Sequence, residues 1–201
     1  MLLHFYVEEL SAEAALVELV PRILPADEFE YDYDIFPFQG KASLLRNLPN
    51  RLKAYRHRSD DWRVIVLVDR DADDCQKLKA ELDAIVRDSE LKTRTESPTR
   101  FHVLNRIAIE ELEAWFFGDV EALVTAYPRV DASLGQKSAY RDPDAIKGGT
   151  WEHLEKLLAF YHPGGLEKIR AAGEISRHMQ PDRNRSKSFQ VFRDGLRGIF
   201  A

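Results

Sequence analysis

Val64-Ile65-Val66-Leu67-Val68, followed at once by Asp69-Arg70-Asp71-Ala72-Asp73-Asp74, is the stretch on which the fold turns. Five consecutive apolar residues, mostly β-branched, predict a strand buried on both faces, as in the middle of a parallel sheet. The acidic run begins where that strand must end. In open parallel sheets, ligands gather at the carboxyl ends of the strands.

Upstream, Leu2–Val7 reads as a first strand ending in Glu8-Glu9. Ser11 then reads as the N-cap of an amphipathic helix with Ala15, Leu16, Leu19, Val20 and Ile23 on one face, stopped by Pro25. The aromatic stretch 31–38 alternates with Asp32 and Asp34 and predicts a second strand, at an edge. Gly40-Lys41 opens a second helix through Leu44, Leu48, Leu52 and Tyr55. Downstream, Leu78, Leu82 and Ile85 mark a third helix, Phe101–Leu104 a fourth strand, and Ile107–Phe117 a fourth helix.

Strict alternation of strand and helix predicts an α/β fold: a parallel sheet with right-handed crossovers and helices on both faces. Beyond Asp119 the pattern changes. Pro128, Pro143, Gly148-Gly149 and Pro163-Gly164-Gly165 punctuate short helices near 119–127, 151–161, 165–178 and 187–199. The expected organisation is a core over 1–118 and a helical extension over 119–201 packed on it.

Composition sets the outer limits. The chain has 201 residues, 44% hydrophobic and 31% charged, which are ordinary globular values. Acidic residues outnumber basic ones, 34 to 29, for a net charge of −5. A nucleic-acid contact would therefore come from local patches rather than from overall charge. The single cysteine, Cys75, excludes an internal disulfide and fits a reducing compartment. The apolar opening is short, lacks a basic leader and meets Glu8-Glu9 directly, so no signal peptide or membrane span is expected there. The expectation is a cytoplasmic protein.

Asp69 and Asp71 are two apart, so on an extended chain their side chains leave on the same side. Two converging carboxylates repel unless a cation lies between them. Mg²⁺ suits such a pair, since it takes one or two carboxylates and keeps several waters. Asp73 and Asp74 need no function, because acidic residues in a helix's first turn complement its dipole.

The ordered series Val7-Glu8-Glu9 with Ser11, Leu67-Val68-Asp69-Arg70-Asp71 and Ile109-Glu110-Glu111-Leu112-Glu113-Ala114-Trp115 resembles a bacterial TOPRIM-like family of unknown function. Arg141-Asp142-Pro143-Asp144, Gly148-Gly149-Thr150-Trp151 and Arg185-Ser186-Lys187-Ser188-Phe189 extend the resemblance along nearly the whole chain. TOPRIM domains occur in topoisomerases, primases and OLD-type nucleases. They hold Mg²⁺ with a glutamate after the first strand and a D-x-D after a later one. The resemblance implies Glu8 as metal ligand or general acid/base, Asp69 and Asp71 as metal ligands, and Glu111 and Glu113 as candidates for a second metal. It implies Glu13 as a further catalytic carboxylate, although Glu9 stands where many relatives carry glycine. A Mg²⁺- or Mn²⁺-dependent nuclease follows as the expected activity, with DNA or RNA as substrate. The family is often encoded beside an AAA-type ATPase, in settings that suggest defence against phage or mobile DNA. A non-catalytic partner of that ATPase is the alternative. Phosphotransfer on Asp69, as in haloacid-dehalogenase-type phosphatases, wants Thr or Val where this chain has Asp73.

The segment 41–58 carries Lys41, Arg46, Arg51, Lys53, Arg56 and Arg58 with no acidic residue. Such a run suits a nucleic-acid backbone or a plain solvated helix face. Arg185 and Lys187, with Arg183 and Arg193, invite the same two readings. Trp115-Phe116-Phe117 is expected to pack in the core, and Trp151 to anchor a C-terminal helix.

Overall fold

A computed structural model describes residues 1–201. Its sheet has four strands, all parallel and flanked by helices. They are β1 (Leu2–Val7), β2 (Asp32–Pro37), β3 (Trp62–Asp69) and β4 (Val103–Ala108), in the spatial order β2-β1-β3-β4. Register pairs Val7 with Pro37 on one side and with Leu67 on the other. The order reverses between β1 and β3. In open parallel sheets that is the switch point where a crevice forms at the carboxyl ends.

The helices are α1 (Leu10–Ile23), α2 (Lys41–Lys53), α3 (Cys75–Asp88), α4 (Glu113–Gly118), α5 (Val120–Ala126), α6 (Thr150–Leu158), α7 (Lys168–Ser176) and α8 (Lys187–Arg197). Contacts group them into two compact units. The first spans 1–10 and 26–107, the second 11–25 and 108–201.

In the first unit, Val64, Val66 and Val68 of β3 pack with Leu44, Leu48 and Leu52 of α2 and with Leu78, Leu82 and Val86 of α3. The spacing of four residues along each helix makes that face continuous. His4 of β1 is buried in the same unit. Its Nδ1 bonds to the Tyr55 hydroxyl, which lies 2.9 Å from the Tyr6 hydroxyl.

The second unit gathers α1 with the C-terminal helices. Its core includes Trp115, Phe116, Phe117, Phe189 and Phe192, all fully buried, as expected of the aromatic run. The Trp115 indole donates to Ser188 Oγ at 2.9 Å, and Asp144 accepts from Ser186 Oγ, Ser188 N and Ser188 Oγ at 2.7–3.0 Å. Trp151 lies at the start of α6 with the Lys168 ammonium 5.7 Å from its ring. No helix is long and apolar enough to cross a membrane.

Three local expectations are displaced. The fourth strand runs 103–108 rather than 101–104, and the helix after it begins at Glu113 rather than Ile107. Ser11 lies inside a helix that already starts at Leu10, and it is buried rather than capping from outside.

Two predictions follow from packing. A Cβ on Gly118 would fall 2.1 Å from Asn184 Oδ1 and 2.9 Å from Ser186 N. Asn184 is itself committed, donating to Trp115 O and accepting from Ser186 N. Gly118→Ala is expected to cost about 2 kcal/mol in urea unfolding, as overpacking does; an unchanged midpoint would show that this contact yields freely. The second concerns His4. Burial pushes its imidazole below the usual value of 6.5, with Asp34 opposing and Arg58 adding to the effect. The unfolded chain therefore takes up the proton first, and stability falls as pH drops below 6.5. The loss in urea midpoint between about pH 7 and about pH 5.5 should be smaller in His4→Phe than in the wild type. Equal losses would refute this account of His4.

Candidate functional site

The carboxyl ends of β1 and β3 lie side by side, and Glu8 is the first residue beyond β1. Its carboxylate ties two neighbouring segments together. Oε1 accepts the Lys41 N–H and Oε2 accepts the Asp69 N–H, both at 3.0 Å. The backbone tightens the same corner, with Phe38 N donating to Val7 O at 3.0 Å and Gly40 N to Glu8 O at 2.9 Å. Gly40 has φ +84°, which a residue with a side chain adopts only under strain, so glycine suits this turn into α2. Burial raises the Glu8 carboxyl above its ordinary value; the Asp69 N–H, the Lys41 charge and the Lys41 N–H oppose this, and the Asp71 charge adds to it.

Asp69 closes β3, but the chain does not stay extended after it. Asp71 takes φ +50°, and Asp73 N donates to Arg70 O at 3.0 Å to close a turn. Asp71 and Asp73 therefore reach the same partner. The Lys41 ammonium donates to Asp71 Oδ2 at 2.7 Å, to Asp73 Oδ2 at 2.8 Å and to Arg70 O at 3.3 Å. Its side chain is only 14% exposed, whereas those of Asp71 and Asp73 are 49% and 53% exposed. Burial lowers the Lys41 amine, but its bonds to Asp71 and Asp73 and the charges of Asp71 and Glu8 outweigh that and raise it. Asp74 lies just outside the first turn expected for it and serves as the N-cap of α3, accepting from Lys77 N at 2.9 Å.

A groove of about 410 Å³ between α2 and α3 opens beside Lys41 and Asp73, with Lys77 and Glu81 also on its walls. Along α2, Arg46 and Arg51 are exposed. Arg56 is occupied with the end of α3, donating to Ser89 O at 3.1 Å and to Asp88 O at 3.3 Å.

The family model described as Domain of unknown function (DUF4276) matches residues 7–197. The chain belongs to that family. The match takes in Glu8, Lys41, the Asp69–Asp73 turn and the later E-x-E-x-W segment of this DUF4276 chain. No curated protein and no solved structure matches it.

The remaining expected site residues of this DUF4276 chain lie in the second unit. Glu13 is in the first turn of α1, where a carboxylate complements the helix dipole. Glu111 Oε2 accepts Thr150 Oγ1 at 2.7 Å and Trp151 N at 2.8 Å. It thus serves the start of α6, whose own N-cap, Gly149, has no side chain to offer. Glu113 is fully buried, 3.6 Å from the Lys168 ammonium. Arg185 donates to Gly135 O at 3.4 Å, and Lys187 is exposed at the start of α8.

The donor set at the strand mouth suits a hard divalent cation. Asp69, Asp71 and Glu8 offer only carboxylate oxygens, and each Glu8 oxygen keeps lone-pair capacity beyond its one N–H. Asp71 and Asp73 both face Lys41, and no three His, Cys, Asp or Glu side chains stand together as a metal-holding group. The Lys41 contact was missed at the level of sequence because it joins residues 30 and 32 positions apart.

The Glu111 cap gives a direct prediction. Glu111→Ala should lower stability by about 1–2 kcal/mol, as loss of a helix cap does, while Glu111→Gln keeps an acceptor and loses less. Denaturant unfolding of the two variants checks this, and equal losses would contradict it.

Proposed function

We propose that this protein is a Mg²⁺- or Mn²⁺-dependent nuclease of TOPRIM type, hydrolysing phosphodiester bonds of DNA or RNA at the β1–β3 mouth. One observation supports this most: at the switch point of an all-parallel sheet, the crevice where such folds bind ligands, the Glu8 carboxylate beyond β1 accepts the N–H of Asp69 at the end of β3, with Asp71 in the turn that follows. The order of these residues along the chain is also the order in which TOPRIM domains present their acidic ligands.

In this reading Asp69 and Asp71 hold the cation. Glu8, bridging the two backbone N–H groups, fixes their approach. Its raised carboxyl suits it to exchange a proton with water or a leaving oxygen. The metal, when bound, supplies Lewis acidity and an activated water. Exposed Arg46 and Arg51 on α2 offer positive charge to a nucleic-acid backbone. Gating by an AAA-type ATPase, in defence against phage or mobile DNA within the cytoplasm, is the setting the family resemblance supports.

A second reading draws on the Lys41 contacts. An acidic turn already neutralised by an ammonium can be purely structural, which suits a non-catalytic partner of the ATPase.

Calorimetric titration with Mg²⁺ and Mn²⁺, followed by cleavage assays on DNA and RNA, separates the two. The nuclease reading expects binding and cleavage by the wild type and loss of both in a folded Asp69→Asn/Asp71→Asn variant. Cation binding without any cleavage, with or without the ATPase, would favour the second, and cleavage that survives in that variant would refute the assignment of the activity to this mouth.

A further inference from the structure

We propose that Lys41 is a tethered counter-cation of the acidic mouth, which a divalent ion must displace before it can use Asp71. This rests on the metal-dependent reading above and adds a regulatory step to it: metal entry releases the Lys41 ammonium, which is then free to meet a substrate phosphate.

The geometry gives Lys41 a fixed base and a movable head. Glu8 Oε1 holds its backbone N–H, so the Cα stays at the corner of the sheet. Three acceptors engage the ammonium, Asp71, Asp73 and the Arg70 carbonyl, which matches its three donors. The two carboxylates it bridges are the half-exposed ones, so a cation arriving from solvent meets them before it meets the more covered amine.

Charge favours the exchange. Asp71 and Asp73 carry two negative charges against one on Lys41, and the Glu8 carboxylate lies close enough to feel both Asp71 and Lys41. A doubly charged ion balances this mouth better than a single ammonium does.

The position of Lys41 on its helix is the second argument. It is the first residue of α2, whose first turn has no acidic residue and whose N-cap, Gly40, makes no side-chain cap bond. A lysine there opposes the helix dipole, which favours negative charge at an N-terminus. The helix gains nothing from Lys41 at this place, but the Asp71–Asp73 turn does. Once released, the ammonium would offer its positive charge and three donors to a phosphate at the mouth. The groove between α2 and α3, which Lys41 lines, provides room for the freed side chain.

Two measurements on the full chain test the exchange. In calorimetry, Lys41→Met should bind Mg²⁺ several-fold more tightly than the wild type, because a competitor has been removed. In the wild type, reductive methylation read by mass spectrometry should leave Lys41 protected without Mg²⁺ and modified with it. Equal or weaker Mg²⁺ binding by a folded Lys41→Met variant would overturn the exchange alone. So would Lys41 methylation that ignores Mg²⁺ while the ion still binds. Absence of Mg²⁺ binding in both proteins would overturn the exchange and the metal-dependent reading together. Should Lys41→Met fail to fold, the methylation result decides.

Discussion

The Glu8 carboxylate, held between two backbone N–H groups, is the constraint on which the strand mouth depends. One oxygen receives Lys41 and the other Asp69, so the end of β1, the start of α2 and the end of β3 are fixed to a single side chain. Hydrogen bonds to a charged acceptor contribute about 1.5–3 kcal/mol each, enough to offset a good part of the cost of holding a half-buried carboxylate. Burial nonetheless raises the carboxyl above its ordinary value. A group poised in this way is firmly placed and yet able to take up a proton.

From that corner the rest of the site follows. Fixing the Lys41 backbone sets where its ammonium can reach. The left-handed turn at Asp71 then brings two carboxylates onto that ammonium rather than pointing them along the strand. The resting mouth is therefore an ion-paired network, not an open acidic cluster. Its ammonium is largely covered while its two carboxylates are half exposed to solvent, which screens such pairs. The second unit handles its carboxylates differently. Asp144 and Glu111 are spent on serine and threonine hydroxyls and on helix starts, and Asp119 forms a two-point pair with Arg183 at 2.9 and 3.0 Å. Those contacts satisfy buried donors and leave less capacity for a ligand.

The parts of this structure that were legible in sequence are those with a local, repeated signal. Val64–Val68 declared a doubly buried strand because five apolar residues in a row have no other economical place. The position of Asp69 at its end followed. The fourth strand was misplaced because Asn105 and Arg106 break its apolar run. Asn105 is nonetheless buried, its amide donating to Asp83 Oδ1 at 2.8 Å, a long-range compensation that no local pattern announces. The extended D-x-D was misjudged for a similar reason. Asp71 turns left-handed instead of continuing the strand, and its carboxylate meets Lys41, thirty residues away. Glu111 carried the strongest motif of the later segment, and its partners on α6 could be seen only after folding.

The central claim is that the corner built on Glu8 is where a divalent cation enters. Paramagnetic broadening by Mn²⁺ in amide spectra of the labelled protein tests it most directly, since the effect is local and needs no substrate. The account predicts that substoichiometric Mn²⁺ first erases the amides of Glu8, Lys41 and Asp69 to Asp71. Broadening that instead begins at other exposed carboxylates, such as Asp32 or Asp131, with this corner untouched, would contradict it.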